Sequence, residues 1–347
     1  MPSAPPAFYS PVPDAVHPAA SAVDAHSADW AVGHGLCKPE SRLTGIGVGT
    51  FVARCYPGAR HTEHLETAAD LVLLAFALDD AHLAPDATGL VPAACRLLAV
   101  LDAPEAPVTD PYEAALRDVV RRLGTSTTAA NTAAIADGFR KSLLHNLWHV
   151  HNWRRGELPA LNDYVTLRAG DVGGPWFSAF APVCGAYELP SGAARDPRVR
   201  ALTQAASLAA GVDNDLCSFS REDATGEKNL LHVLMRDHAC SPARAHVLAV
   251  GLRNRLMLLY TRLRDAVSAD GPALARYAHD LGHVVRGNLE WCHASARYRA
   301  PDPAGTPGAV PLPPLVVTGD PGGIDPAPLD LPATAWWWDR LPPAARG

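Results

Sequence analysis

Apolar residues recur at steps of three and four through most of the chain, and alternating stretches rich in β-branched residues are few. The stretch from His64 to Leu83 shows the pattern well. There Leu65, Ala69, Val72, Phe76 and Asp79 follow one another down a single helical stripe. Abundant Ala and Leu in such runs favour an all-α bundle. The periodicity predicts helices near 20–34, 61–82, 90–101, 111–123, 129–154, 160–170, 176–187, 197–220, 228–236, 241–268 and 271–298, with no internal repeat. Both ends break the pattern. Residues up to about Pro18 are proline-rich, and after Arg299 a proline falls every few positions, a density that prevents packed helices and predicts extended chain. The sequence therefore divides into a proline-rich segment 1–24, a helical domain 25–300 and a proline-rich tail 301–347.

Composition narrows the partners. A chain of 347 residues, 48% of them hydrophobic, can bury a large core. Its net charge of −6 and the lack of any Lys/Arg run argue against a nucleic-acid surface. No apolar run approaches the ~20 residues needed to span a membrane. Seven cysteines without a C-x-x-C pair, in a chain with no signal peptide, read as reduced thiols and point to a cytoplasmic protein.

The run NDLCSFSRE, Asn214 to Glu222, carries the most chemistry. Asn214, Ser218 and Glu222 stand at i, i+4 and i+8, which on a helix stacks an amide, a hydroxyl and a carboxylate oxygen on one face with a drift of about 40° per step. Three hard oxygen ligands suit Mg²⁺, an ion usually shared between a few protein groups and the oxygens of a phosphate. Arg221 adds positive charge beside them. A solvated polar helix face would show the same spacing. Asp79 raises a parallel question, since a carboxylate continuing an apolar stripe needs a partner, and a divalent cation would offset its burial. The alternative is a helix that ends there, before Pro85, with Asp79 and Asp80 in water.

In their order along the chain these elements resemble the class I terpene synthases, the bacterial type in particular, from about the FYSPVPDAVHP segment at Phe8 to the SARYRA segment at Arg297. The resemblance implies a single-domain α-helical bundle of the class I terpenoid synthase type, with extended proline-rich tails. It makes Asp79 and Asp80 the start of the aspartate-rich motif, and Asn214, Ser218 and Glu222 the second magnesium motif. Arg168, 46 residues before Asn214, takes the place of the arginine that senses diphosphate. Asp171 becomes its acidic linker. Val172 becomes the effector position, where a freed backbone carbonyl points at the substrate. Arg297 and Tyr298 match the terminal pair that hydrogen-bonds diphosphate. The implied cofactor is Mg²⁺, three ions, with Mn²⁺ as a substitute. The implied partner is a prenyl diphosphate, most commonly farnesyl diphosphate, with a homodimer compatible. The implied activity is that of a carbon-oxygen lyase: ionisation, cyclisation and release of diphosphate.

One departure stands out. The family usually carries a third acid a few residues after the first, where DDAHLAPD has Leu83 and Ala84. Asp86 would return to the face of Asp79 only if the helix continued through Pro85. This leaves open a non-catalytic prenyl-diphosphate-binding descendant. A chain-elongating prenyltransferase would have a second aspartate-rich motif in place of NDLCSFSRE, and protonation-initiated cyclisation would need a D-x-D-D motif that is not found.

Ionisation also demands a dry cavity with aromatic faces, since these stabilise a cation without attacking it. Phe76, Trp176, Phe177 and Trp291 are the candidates, together with Arg168, Arg221, Arg297 and Tyr298 for the diphosphate; each aromatic is equally explained as core. His145, His149 and His151 offer a zinc-like cluster but lack the further ligands, and read as surface or core histidines. Trp336, Trp337 and Trp338 read as a frayed tail, with docking on the bundle or on a partner as the alternative.

Overall fold

The computed structural model describes residues 6–82, 89–298 and 314–343. It is almost wholly helical: α1 Ala20–Gly33, α2 Val48–Cys55, α3 Thr62–His82, α4 Leu90–Asp102, α5 Pro111–Ser126, α6 Ala129–Arg155, α7 Leu161–Asp171, α8 Gly174–Gly185, α9 Pro197–Thr225, α10 Leu230–Asp237, α11 Pro242–Ser268, α12 Pro272–Ala294 and α13 Pro332–Trp338. Each helix expected from periodicity is found, and α2 and α13 are additional. The helix expected to end at 220 runs on to Thr225, and the one expected to reach 298 stops at Ala294, after which the chain turns. Among the described residues, no helix is long and apolar enough to cross a membrane.

Helix α9 is the axis of the bundle, packing on α7, α8, α11 and α12. Its start is set by Asp196, whose side chain accepts from Arg198 N, with Pro197 in the first turn. Its middle is a run of small residues: Ala205, Ala206, Ala209 and Gly211 let neighbouring helices approach closely. Gly211 has a specific reason, since a Cβ there would stand 3.1 Å from Arg168 Cγ. Between α7 and α8 the chain breaks at Gly173, whose φ of 82° is left-handed and suits glycine. Gly174 and Pro175 then open α8, two residues before the expected start.

The tails hold to the bundle. Phe8–Tyr9 (β1) pairs in parallel with Val317–Thr318 (β2). Arg253, fully buried on α11, pairs with Asp213 at 2.9 Å and also donates to the Tyr9 carbonyl. The expectation of an extended C-terminal tail fails at α13, and the frayed-tail reading of the three tryptophans fails with it. Trp337 is 2% exposed and donates from Nε1 to Gln204 on α9 at 3.0 Å, while Trp338 donates to the Pro326 carbonyl at 3.2 Å. Ala333 N reaches Asn162 on α7 at 2.8 Å, and the Arg200 guanidinium lies over the Trp336 ring at 5.7 Å. The indole N–H groups of Trp337 and Trp338 each have an acceptor, which removes the cost of burying them.

Candidate active site

Helix α9 presents Asn214, Ser218 and Glu222 on one face, as the spacing requires. Asn214 is held from two sides: Oδ1 accepts from Arg168 Nη2 at 2.6 Å, and Nδ2 donates to Tyr298 Oη at 2.6 Å. Ser218 Oγ is fully buried with no hydrogen-bond partner among the described residues. Glu222 Oε2 accepts from Asn229 at 2.8 Å, and its other oxygen lies 3.6 Å from Arg221. Burial, reinforced by the Glu227 and Asp215 carboxylates, pushes the Glu222 carboxyl up to about 7.

Arg168 sits at the end of α7, 11% exposed, and engages three partners. These are Asp171 at 3.0 Å, Asp215 at 2.9 Å and Asn214. Asp215 also accepts from Tyr164 Oη at 2.8 Å; burial pushes its carboxyl up to about 6 against the pull of Arg168. Burial likewise opposes the Asp171 charge, but Arg168 and His149 outweigh it and hold that carboxyl below the usual range. Val172 follows at the break between α7 and α8 and lines the cavity.

The terminal pair joins the two motifs. Arg297 binds Asp79 at 2.9 Å and Asp80 at 3.0 Å, while its neighbour Tyr298 holds Asn214. The Arg297 guanidinium lies 4.2 Å over the Phe76 ring, and Arg221 stands 5.8 Å over the Tyr298 ring. Asp79 is thus partly exposed and paired with an arginine. Leu83, Ala84 and Asp86, where the third acid of the motif would fall, lie outside the described residues.

These groups surround one cavity of about 190 Å³, roughly an order of magnitude more than a single water needs. Phe76, Asp79, Arg168, Asp171, Val172, Trp176, Phe177, Asn214, Arg221, Glu222, Trp291, Arg297 and Tyr298 all line it. Two candidates do not: Asp80 opens onto an adjoining groove shared with Arg221 and Arg297, and Ser218 is fully buried. The cavity lining combines these polar groups with a chain of stacked aromatic rings that reaches them where Phe76 lies beneath the Arg297 guanidinium. Phe177 stacks on Phe51 (5.0 Å), Phe51 on Trp291 (4.6 Å) and Trp291 on Phe76 (5.8 Å), and Trp176 meets Phe177 edge-on at 5.3 Å.

Several residues of this site escaped the sequence reading. Phe51, at the centre of the aromatic stack, lies on the unexpected helix α2. Asp215 hides in the Asn-Asp dipeptide, turned about 100° from Asn214 toward α7. His149 passed for an ordinary histidine, yet it is mostly buried between Asp171 at 3.4 Å and Glu227 at 3.0 Å. Burial would lower its pKa, but hydrogen bonds to those carboxylates raise it to about 10. His145 donates to the Lys141 carbonyl, and His151 is exposed.

The donor set fits a hard divalent ion. The unpartnered Ser218 oxygen lies between an amide and a carboxylate on one helix face, as a hydroxyl ligand would. Among the described residues, no three His, Cys, Asp or Glu side chains gather as a ready-made metal cluster. An ion here would need water and substrate oxygens to complete its shell, the habit of Mg²⁺.

A family model described as terpene synthase family 2, C-terminal metal binding, matches residues 70–257, more than half of the chain. The chain is 34% identical over 352 residues to a (+)-T-muurolol synthase, (2E,6E)-farnesyl diphosphate cyclizing, of Streptomyces clavuligerus, covering 96% of this chain and 82% of that one. It is 31% identical to a (+)-(1(10)E,4E,6S,7R)-germacradien-6-ol synthase of Streptomyces pratensis, covering 97% of each. The crystal structure of the SVS_A2 protein from ancestral sequence reconstruction superposes with a TM-score of 0.83 at 29% identity, over 97% of this chain and 99% of that one.

Proposed function

The chain belongs to the terpene synthase family, and from that premise we propose that it is a Mg²⁺-dependent cyclase of farnesyl diphosphate, releasing diphosphate and a C15 hydrocarbon or alcohol. One observation carries the reading: a single cavity is lined both by arginines and oxygen ligands and by stacked aromatic rings. Asn214, Ser218 and Glu222 on one side and Asp79 and Asp80 on the other would hold the divalent ions, three of them with Mn²⁺ as a substitute. Bound there, they would supply Lewis-acid charge for the leaving group. Arg168, Arg221 and Arg297 neutralise the developing negative charge, and Tyr298 donates a hydrogen bond to it.

Arg168 is occupied by Asp171, Asp215 and Asn214. An arriving diphosphate competes for that guanidinium, and the Asp171 linker passes its movement to Val172 at the helix break. Departure of diphosphate leaves an allylic cation, and the faces of Phe76, Phe177 and Trp291, with Phe51 and Trp176 beside them, stabilise it in a closed space. The farnesyl chain length is supported by the printed substrate of the muurolol synthase. A C10 or C20 diphosphate is the alternative. Leu83 and Ala84 in place of a third acid favour a second reading, a prenyl-diphosphate-binding homologue with impaired catalysis. Gas chromatography after incubation with geranyl, farnesyl or geranylgeranyl diphosphate and Mg²⁺ tests the proposal; cyclic product from farnesyl diphosphate is expected. Cyclic product from another length alone would overturn only the chain length.

A further inference from the structure

Glu222 is held by a residue that belongs to neither metal motif. After α9 ends, Gly226, at a left-handed φ of 79°, turns the chain back so that the loop 226–229 lies against the last turns of the helix. Asn229, the last residue of that loop, is 2% exposed. Its Nδ2 donates to the Asp215 carbonyl at 3.0 Å and to Glu222 Oε2 at 2.8 Å, while Oδ1 accepts from Leu231 N at 3.0 Å and so caps α10.

The cap alone does not account for an asparagine. Serine, threonine or aspartate would cap α10 about as well through one oxygen. What the amide adds is a pair of donors, one anchored to the α9 backbone and the other on the carboxylate. A carboxylate gripped at Oε2 by a group fixed to its own helix has its plane set, and Oε1 is left facing Arg221 and the cavity. Partners of this kind orient metal ligands, and their loss typically weakens metal binding about 10–100-fold.

We propose that Asn229 is a positioning residue for the metal site, its side-chain amide orienting the Glu222 carboxylate as a ligand. The proposal rests on the reading of Asn214, Ser218 and Glu222 as metal ligands. The test is Mn²⁺ binding followed by electron paramagnetic resonance, with inorganic diphosphate and no prenyl substrate, in wild type, Asn229→Ser and Glu222→Gln. Serine keeps a capping oxygen but is too short to reach Glu222. Asn229→Ser should retain the helical circular dichroism and weaken Mn²⁺ binding about tenfold, and Glu222→Gln should weaken it at least as much. Binding by Asn229→Ser within twofold of wild type, with Glu222→Gln impaired, would overturn the positioning role alone. Wild-type binding by both variants would overturn the metal reading beneath it. Should Asn229→Ser fail to fold, Asn229→Asp keeps size and cap and replaces the donor by an acceptor. Weaker binding by that variant supports the proposal, and unchanged or tighter binding overturns it.

Discussion

Arg168 donates to Asn214 Oδ1 at 2.6 Å, so the guanidinium at the end of α7 and the first oxygen of the α9 triad are directly joined. The same amide is held by Tyr298, and through Arg297 that connection extends to Asp79 and Asp80. The groups proposed to bind anion and metal thus form one network.

Replacing Asn214 should therefore cost both activity and some stability. Asn214→Ala removes an oxygen ligand and unhooks Arg168 and Tyr298. Pyrophosphate release should fall by at least about 10²-fold, and thermal unfolding should shift by about 1–3 kcal/mol for the partners left unpaired. Glu222→Ala should lose at least as much activity. A variant of either kind with near wild-type release would contradict the ligand assignment.

The two aspartates of α3 should differ. Asp79 lines the cavity and Asp80 the neighbouring groove, although both bind Arg297. In steady-state kinetics, Asp79→Asn should lose about tenfold or more activity relative to Asp80→Asn. Equal loss would show that Arg297, rather than position in the cavity, decides their importance.

His149 predicts a pH dependence of stability. Its folded pKa of about 10 exceeds the ordinary histidine value near 6.5, so the folded state binds the proton more tightly than the unfolded chain. The stabilisation is complete below about pH 6.5 and is lost as the pH rises through about 10. Thermal midpoints of wild type should fall across that window. His149→Gln should start lower and show a flatter decline; an identical slope would contradict the imidazolium assignment.

Trp337 should be a strong stabilising contact despite its place near the end of the chain. Trp337→Ala removes a buried indole and strands Gln204, a change of about 3 kcal/mol or more. Differential scanning calorimetry should show a drop of about 4 °C. A shift within 1 °C would mean that α13 does not dock in solution.

Much of this was legible in the sequence because it is written in short-range spacing. The α3 stripe and the i, i+4, i+8 register of α9 each lie on one element, so a period locates them without knowledge of the fold. Helix α2 spans only eight residues, too few for a period to stand out. It is buried on most sides and presses so closely on α1 that a Cβ at Gly49 would fall 2.2 Å from Asp24 N. Helix α13 was hidden by the surrounding prolines, one of which, Pro332, in fact opens it. His149 and Asn229 were illegible for a different reason. Their meaning lies in partners on other elements, such as Glu227, 78 positions from His149. No local pattern marks such contacts.

Metal-dependent ionisation of a prenyl diphosphate in this cavity can be measured directly. Pyrophosphate release from farnesyl diphosphate should be followed with Mg²⁺ and again in excess chelator. Steady release is expected with Mg²⁺, abolished by chelator and restored when Mg²⁺ is added back. Equal release in both conditions, or tight binding with no release from C10, C15 or C20 substrates, would contradict it.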